Sequence, residues 1–364
     1  MNKMKKVFAL VLTLAMTLSL AACGSKTETP AATTSTPAAT STPAASTPAA
    51  SSPAASTPAE TPAAGEKPAG YPTKTITWIA PVAAGAAVDL PTRVAADLLD
   101  LGQPVVVENI AGASQTLGTA EFAARDADGY TLLTMANACG IAQPLMNDVA
   151  YDLDDFRYIA MLTPTVQATI CVKADSEFTS TQQLIDYMQA GEFVYGIPNA
   201  GGYGHMVICK SLFDLGCYDN GLQMTYNGSN DNIAAILNGE VDFAIVDSTD
   251  AIKNPDIRVL TVLDANKCEL FPDAELMADF GVSNLETFVG MKYVAIRKDT
   301  PADIAEYLKT EINKTLQSQE YQDYLVQMGF GTLREYSEEE IHGIIDQALV
   351  DYKDVMLKVG LITE

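Results

Sequence analysis

From Tyr71 onward the apolar positions switch repeatedly between a strand-like and a helix-like period. Ile76-Thr77-Trp78-Ile79-Ala80, Val105-Val106-Val107 and Tyr130 to Met135 are short buried-strand runs. Between the first two, Asp89 reads as an N-cap, Val94, Leu98 and Leu101 keep helical spacing, and Gly102 ends the helix. A loop from Asn109 to Leu117 and a short helix through Ala124 follow the second run. Val166 to Val172 is an extended passage, after which the alternation starts again. Ser180-x-x-Gln183 is a capping box for a helix that stops at Gly191. Strands are expected at Phe193–Ile197, Leu222–Tyr226, Val241–Val246 and Ile257–Leu263. Helices are expected at His205–Asp214 and at Ile233–Leu237, the latter closed by Gly239. Phe288 to Ile296 is again extended, and Pro301, Ser318 and Ser337 lie at or near the starts of three closing helices.

Two α/β units joined by two extended passages predict two lobes connected by two crossover strands, with a ligand cleft between the lobes. The expected division is 71–172 plus 290–364 for the first lobe and 173–289 for the second. Clefts of this kind suit small molecules.

The first 70 residues follow a different pattern. Lys3, Lys5 and Lys6 precede an apolar run from Val7 to Leu20, which ends in Leu20-Ala21-Ala22-Cys23. A basic head, a short apolar core and small residues before a cysteine predict a lipoprotein signal at 1–22, with Cys23 as the lipidated residue. The expected location is the outer face of the cell membrane, held there by lipid. Residues 23–70 form a linker in which Pro37, Pro43, Pro48 and Pro53 sit in Ser/Thr-Pro-Ala-Ala units and Pro58 in Thr-Pro-Ala. So little apolar surface cannot offset the entropy of ordering, and the stretch is expected to be a disordered spacer reaching roughly 150 Å when extended.

The net charge of −24 argues against nucleic acid as a partner, because phosphate binding rests on Lys and Arg. It also means that any anion site must be built from local donors. Five cysteines lie beyond Cys23, namely Cys139, Cys171, Cys209, Cys217 and Cys268, without a C-x-x-C pair. Buried free thiols are the favoured reading for most of them. His205 and His342 are the only histidines and lack ligand spacing, so no metal site is expected. Nucleophile elbows, phosphate loops and dinucleotide motifs are absent from the sequence, and no cofactor or enzymatic activity is expected.

Two strand–loop–helix junctions carry the candidate chemistry, Pro81-Val82-Ala83-Ala84-Gly85-Ala86-Ala87-Val88-Asp89 and Pro198-Asn199-Ala200-Gly201-Gly202-Tyr203-Gly204-His205. Small side chains leave backbone N–H groups open at a helix start, where the macrodipole adds partial positive charge. That combination makes an anion seat without a cationic side chain. Arg93 reads either as a structural ion pair or as a contact to a second ligand carboxylate. His205 reads as a polar residue lining the cleft.

Several segments resemble the binding receptors of tripartite tricarboxylate transporters, also called the Bug family. They are Tyr71-Pro72-x-Lys74-x-Ile76-Thr77, Leu101-Gly102-Gln103-Pro104-Val105-Val106-Val107-Glu108-Asn109, Asp128-Gly129-Tyr130-Thr131-Leu132-Leu133, Gly201-x-x-Gly204-His205 and Asn238-Gly239-Glu240-Val241-Asp242. The resemblance implies a type II-like periplasmic-binding-protein fold that closes over a small carboxylate solute and serves membrane permease subunits, as a monomer. A sensor subunit presenting its ligand to a membrane kinase is an alternative, and an anchored hydrolase a remote one. The implied ligand contacts are Val82, Ala83, Ala84, Gly85, Ala86, Ala87 and Asp89 in the first loop, and Asn199, Gly201, Gly202, Gly204 and His205 in the second. Ser114, Asn137, Gly228, Asp247 and Ser248 complete the set. The chain departs from the family pattern at Gly85-Ala86 and at Ala111-Gly112-Ala113-Ser114-Gln115, which is expected to narrow the cleft or add a donor.

Overall fold

The computed structural model describes residues 65–363, so the expected signal, Cys23 and most of the linker lie outside the described residues. The first strands are β1 (Ile76–Ala80), β2 (Val105–Asn109), β3 (Thr131–Ala136) and β4 (Phe156–Met161). After them come β5 (Ala168–Lys173), β6 (Phe193–Pro198), β7 (Gly221–Tyr226), β8 (Phe243–Asp247), β9 (Ile257–Val262), β10 (Glu275–Leu276) and β11 (Lys292–Arg297). The helices are α1 (Asp89–Leu98), α2 (Thr116–Ala123), α3 (Gln143–Met146), α4 (Thr181–Ala190), α5 (Tyr203–Asp214), α6 (Ser229–Asn238), α7 (Ser248–Ala251), α8 (Ala302–Leu316), α9 (Gln319–Gln327) and α10 (Glu338–Lys358).

These strands make two sheets, ordered β2-β1-β3-β11-β4 and β10-β9-β5-β8-β6-β7. Within the first, β1 pairs in parallel with β2 and β3, while β11 runs antiparallel between β3 and β4. In the second, β6 pairs in parallel with β7 and β8, while β5 runs antiparallel between β8 and β9. Strand for strand, β2-β1-β3-β11-β4 repeats as β7-β6-β8-β5-β9. The repeat extends to irregularities: β11 shifts register against β4 at Val294/Ala295, and β5 shifts against β9 at Ile170/Cys171.

The chain passes between the sheets twice, and the passages meet where Val166 and Gly290 form an antiparallel bridge. The expected lobe boundary at 172 is therefore misplaced, since Ala168 to Lys173 pairs entirely with β8 and β9. An extended run alone does not say which sheet it joins. Asn137, just past β3, fastens the return passage. Its Nδ2 donates to Val289 O at 3.0 Å, and its Oδ1 accepts from Met291 N–H at 2.7 Å.

The start of α1 is held by a buried hydroxyl chain. Trp78 Nε1 donates to Thr134 Oγ1 at 3.0 Å, and Thr134 and Thr92 hydroxyls lie 2.8 Å apart. Thr92 gives its own proton to Val88 O at 2.7 Å, so the Thr134 hydroxyl must donate to Thr92. Trp78 is fully buried, as are Ile76 and Ile79 beside it. Each such side chain contributes about 1.5–3 kcal/mol.

Capping follows the sequence in most places. Ser337 forms both arms of its box with Glu340, and Ser318 caps α9 through Tyr321 N–H. Ser180 accepts from Gln183 N–H, but the Gln183 side chain reaches Thr179 N–H instead of closing the box. Asp89 is the first residue of α1, not its cap, and α1 ends at Leu98, before Gly102. All five described cysteines are free and buried. No helix among the described residues is long and apolar enough to cross a membrane.

Candidate functional site

Six loops leave the carboxyl ends of equivalent strands, three from each sheet, and all six line one cleft of about 650 Å³. The first sheet sends Val82 to Pro91 after β1, Ser114-Gln115 after β2, and Ala136-Asn137-Ala138 at the end of β3. The second sends Pro198 to Gly204 after β6, Asn227 to Asn230 after β7, and Asp247 to Asp250 after β8. Doubly wound sheets bind ligands at such strand ends, and the volume falls within the roughly 300–1,000 Å³ usual for small-molecule sites.

At the start of α1, Ala86 N–H reaches Ala83 O at 3.2 Å and Leu90 N–H reaches Ala86 O at 3.1 Å. Gly85 has a φ of +83°, a conformation that favours glycine, and its N–H donates to Asp89 Oδ2 at 2.8 Å. Among the described residues nothing accepts from the N–H groups of Ala87, Val88 and Asp89. At the start of α5, Gly201 has a φ of +79° and donates its N–H to His205 Nδ1 at 2.9 Å. Here the N–H groups of Tyr203, Gly204 and His205 have no acceptor among the described residues. Each helix start thus offers adjacent donors with the positive end of its dipole behind them.

The side chains of two residues expected to touch ligand hold these loops. Asp89 is 1% exposed and also accepts from Asn109 Nδ2 at 2.7 Å and from Arg93 Nη2 at 2.7 Å. Burial raises its pKa, but the Gly85 N–H, Asn109 and Arg93 outweigh it and hold the carboxyl below its ordinary range. Arg93 is accordingly a structural ion pair, bonded to Asn109 Oδ1 as well. His205 is 3% exposed, and burial pushes its imidazole down to about 4, opposed by the Gln223 side chain. With Nδ1 accepting, the neutral ring carries its proton on Nε2.

Of the other expected contacts, Val82, Gly85, Ala86, Ala87, Ser114, Asn137, Asn199, Gly202, Gly204, Gly228 and Asp247 line the cleft. Asn137 lies at the wall with its amide already used by the return passage. Ala83 and Ala84 are exposed outside the lining, because the turn carries them away from it. Gly201 is buried against Met146, and Ser248 lines a second cavity.

The departure after β2 has a backbone consequence. Ala113, Ser114 and Gln115 all have positive φ, at 45°, 51° and 77°. Strain of this kind persists only where neighbours fix it. Gln115 N–H bonds Gly112 O, Thr116 Oγ1 donates to Ala113 O, and Thr119 Oγ1 donates to Gln115 O. Ser114 and Gln115 stand in the wall of the cleft as a result.

Sequence reading missed Tyr203, Asn227, Asn230, Asp250, Lys253, Lys292, Tyr324, Met328 and Phe330 as lining residues. Lys292 had a signal, as a lone charge inside the apolar run from Phe288 to Ile296. Tyr324, Met328 and Phe330 had none, since only the packing of α9 brings them to the cleft.

Known proteins share this fold. The sequence profile of a family described as "Tripartite tricarboxylate transporter family receptor" matches residues 92–361. Protein BugT of Bordetella pertussis is 30% identical over 260 residues, which cover 68% of this chain and 78% of that protein. MatC from Rhodopseudomonas palustris, solved with bound malate, has a TM-score of 0.66 at 18% identity, covering 78% of this chain and 99% of the other. A second R. palustris protein, solved with adipate, has a TM-score of 0.68 at 23% identity, covering 80% and 98%. The chain therefore belongs to the tripartite tricarboxylate transporter receptor family, whose members are solute-binding receptors and not enzymes.

Proposed function

We propose that this receptor captures a small carboxylate-containing solute between the helix starts of α1 and α5 and delivers it to membrane permease subunits. The observation that carries the reading is the convergence of six strand-end loops, with adjacent unpaired N–H groups on both sides of one cleft. Malate and adipate in the two R. palustris relatives are ligands of that chemical type. An acidic chain needs such local donors, because its overall field repels anions.

The two sheets act as the cores of two lobes that close about the passages joined at Val166 and Gly290. Closure requires the solute to bind the closed state better than the open one. The protein works as a monomer outside the cytoplasm, tethered through a lipid on Cys23 and the proline-rich linker. Cys23→Ser is expected to release it from the membrane fraction, and retention of that variant would contradict the tether.

A thermal-shift screen of organic acids tests the binding reading. An acid present at 100 times its Kd stabilises the fold by roughly 2.7 kcal/mol, which moves the melting transition by several degrees. Replacing the carboxylate by a primary amide should abolish the shift. A hit that keeps its effect as the amide would contradict the carboxylate reading.

A further inference from the structure

We propose that Tyr203 is the positioning residue that couples the second loop to the junction between the lobes, acting with Asp247 and Lys292. The proposal rests on the reading that the lobes move about the two passages, and not on which solute they hold. Tyr203 opens α5, and its backbone N–H is one of those without an acceptor among the described residues. Its ring lies on the return passage. A Cβ added to Gly290 would come 2.8 Å from Tyr203 Cε1 and 2.9 Å from Cζ, so only glycine leaves the ring room there. Gly290 is also the residue that bridges Val166, donating its N–H to Val166 O at 2.6 Å and accepting from Val166 N–H at 2.8 Å. One residue thus joins the start of α5 to the place where both passages meet.

Charged groups from both sheets close around this contact. The Tyr203 hydroxyl donates to the buried Asp247 carboxylate at the end of β8, whose backbone N–H is anchored on Ser229 Oγ at 3.1 Å. Lys292, the first residue of β11, faces the same carboxylate, and its ammonium lies 5.2 Å from the centre of the Phe330 ring. Asp250 also faces Asp247 and lies 3.9 Å from Lys253, while Tyr352 of α10 faces Tyr203. The buried anion therefore belongs to the second sheet and its counter-charge to the first. Burial pushes the Asp247 carboxyl up to about 6, with Tyr203 pulling it down, Asp250 pushing it up and Lys292 pulling it down. A carboxyl whose pKa is raised where the junction is packed takes up a proton on packing. Falling pH therefore favours the packed junction, and the ionised form near neutrality favours letting water in.

The experiment measures the distance between the lobes with no solute present. Double electron–electron resonance reads it in the full chain carrying Cys23→Ser, with spin labels on Asp97→Cys in α1 and Gln182→Cys in α4, both exposed positions. The five described native thiols are buried, so the labels go to the introduced ones. From about pH 7.5 to about pH 5 the ratio of packed to open molecules should rise by up to about tenfold, as a carboxyl moved from its ordinary value to about 6 requires. Asp247→Asn should abolish this response, and Asp250→Asn should preserve it. Tyr203→Phe keeps the ring on Gly290 but removes the donor, so the response should persist with its midpoint moved to higher pH. Gly290→Ala displaces the ring while leaving every charge in place, and should widen the distance distribution at both pH values. A tyrosine that only fills space would leave the midpoint unmoved in Tyr203→Phe, which overturns the proposal. So does a separation that ignores pH, opens on acidification or still responds in Asp247→Asn. Because no solute is present, each of these results leaves the capture reading intact. The unsubstituted junction and Tyr203→Phe decide the matter if Asp247→Asn fails to fold.

Discussion

The loops after β1 and β6 occupy equivalent places in the repeated strand plan, yet they are fixed by opposite chemistry. In each, a glycine of positive φ gives its N–H to the side chain four residues later. In the first that side chain is an anion, Asp89, tied to Arg93 and Asn109. In the second it is a buried neutral imidazole, His205. What the two share is the outcome: one N–H is withdrawn from each loop, and three consecutive N–H groups further on have no acceptor among the described residues. Asp89 is neutralised by Arg93 and His205 is uncharged, so neither opposes an anion held by the amides.

Breaking the first loop should have the larger effect. Asp89→Ala leaves Arg93, Asn109 Nδ2 and Gly85 N–H without their shared charged acceptor, and is expected to lower unfolding free energy by roughly 2–4 kcal/mol, since the half-exposed guanidinium keeps water and Asn109 Oδ1 as partners. Urea denaturation measures this. A loss below about 1 kcal/mol would mean that the network does not hold the loop.

Acid separates the loops next. His205 has a folded pKa of about 4 against an ordinary 6.5, so its contribution is fully present above 6.5 and is lost as pH falls toward 4. The loss amounts to roughly 3 kcal/mol by linkage. Asp89, with a lowered pKa, contributes above the ordinary carboxylate range and is lost only at still lower pH. Acidification from 6.5 to 4 therefore loosens the second loop alone. His205→Gln should flatten that part of the stability profile, and an unchanged slope would remove His205 as its source.

The smallest difference lies in the glycines. Alanine at either position adopts a left-handed conformation that costs about 1–2 kcal/mol. At Gly85 the added Cβ meets nothing within 4 Å, whereas at Gly201 it comes 2.6 Å from Met146 Cε. Gly201→Ala should thus be the more destabilising, by up to about 1 kcal/mol because the methionine end can shift. Equal thermal shifts in the two variants would show that Met146 moves freely.

Much of this architecture was legible in the sequence. Period and turn chemistry gave β1, β3, β6 and β7 closely, and the glycine-bearing junctions lie at strand ends that line the cleft. β4 was missed, because Phe156 to Met161 follows the acidic turn at Asp154-Asp155 without a boundary signal. The sheet membership of residues 168–172 was misread for a physical reason: pairing partners lie far away in sequence. That the Asp89 and His205 side chains hold their own loops was not legible, because a polar residue at a helix start looks the same whether it faces outward or folds back on its own loop. Only the i to i+4 geometry with Gly85 and Gly201 separates the two.

The central claim is that both helix starts grip one solute. Amide resonances followed by nuclear magnetic resonance during titration with a hit from the organic-acid screen test it most directly. Ala87, Val88 and Asp89 should shift together with Tyr203, Gly204 and His205, all following a single Kd. Shifts confined to one of the two loops, or two loops titrating with different affinities, would contradict it.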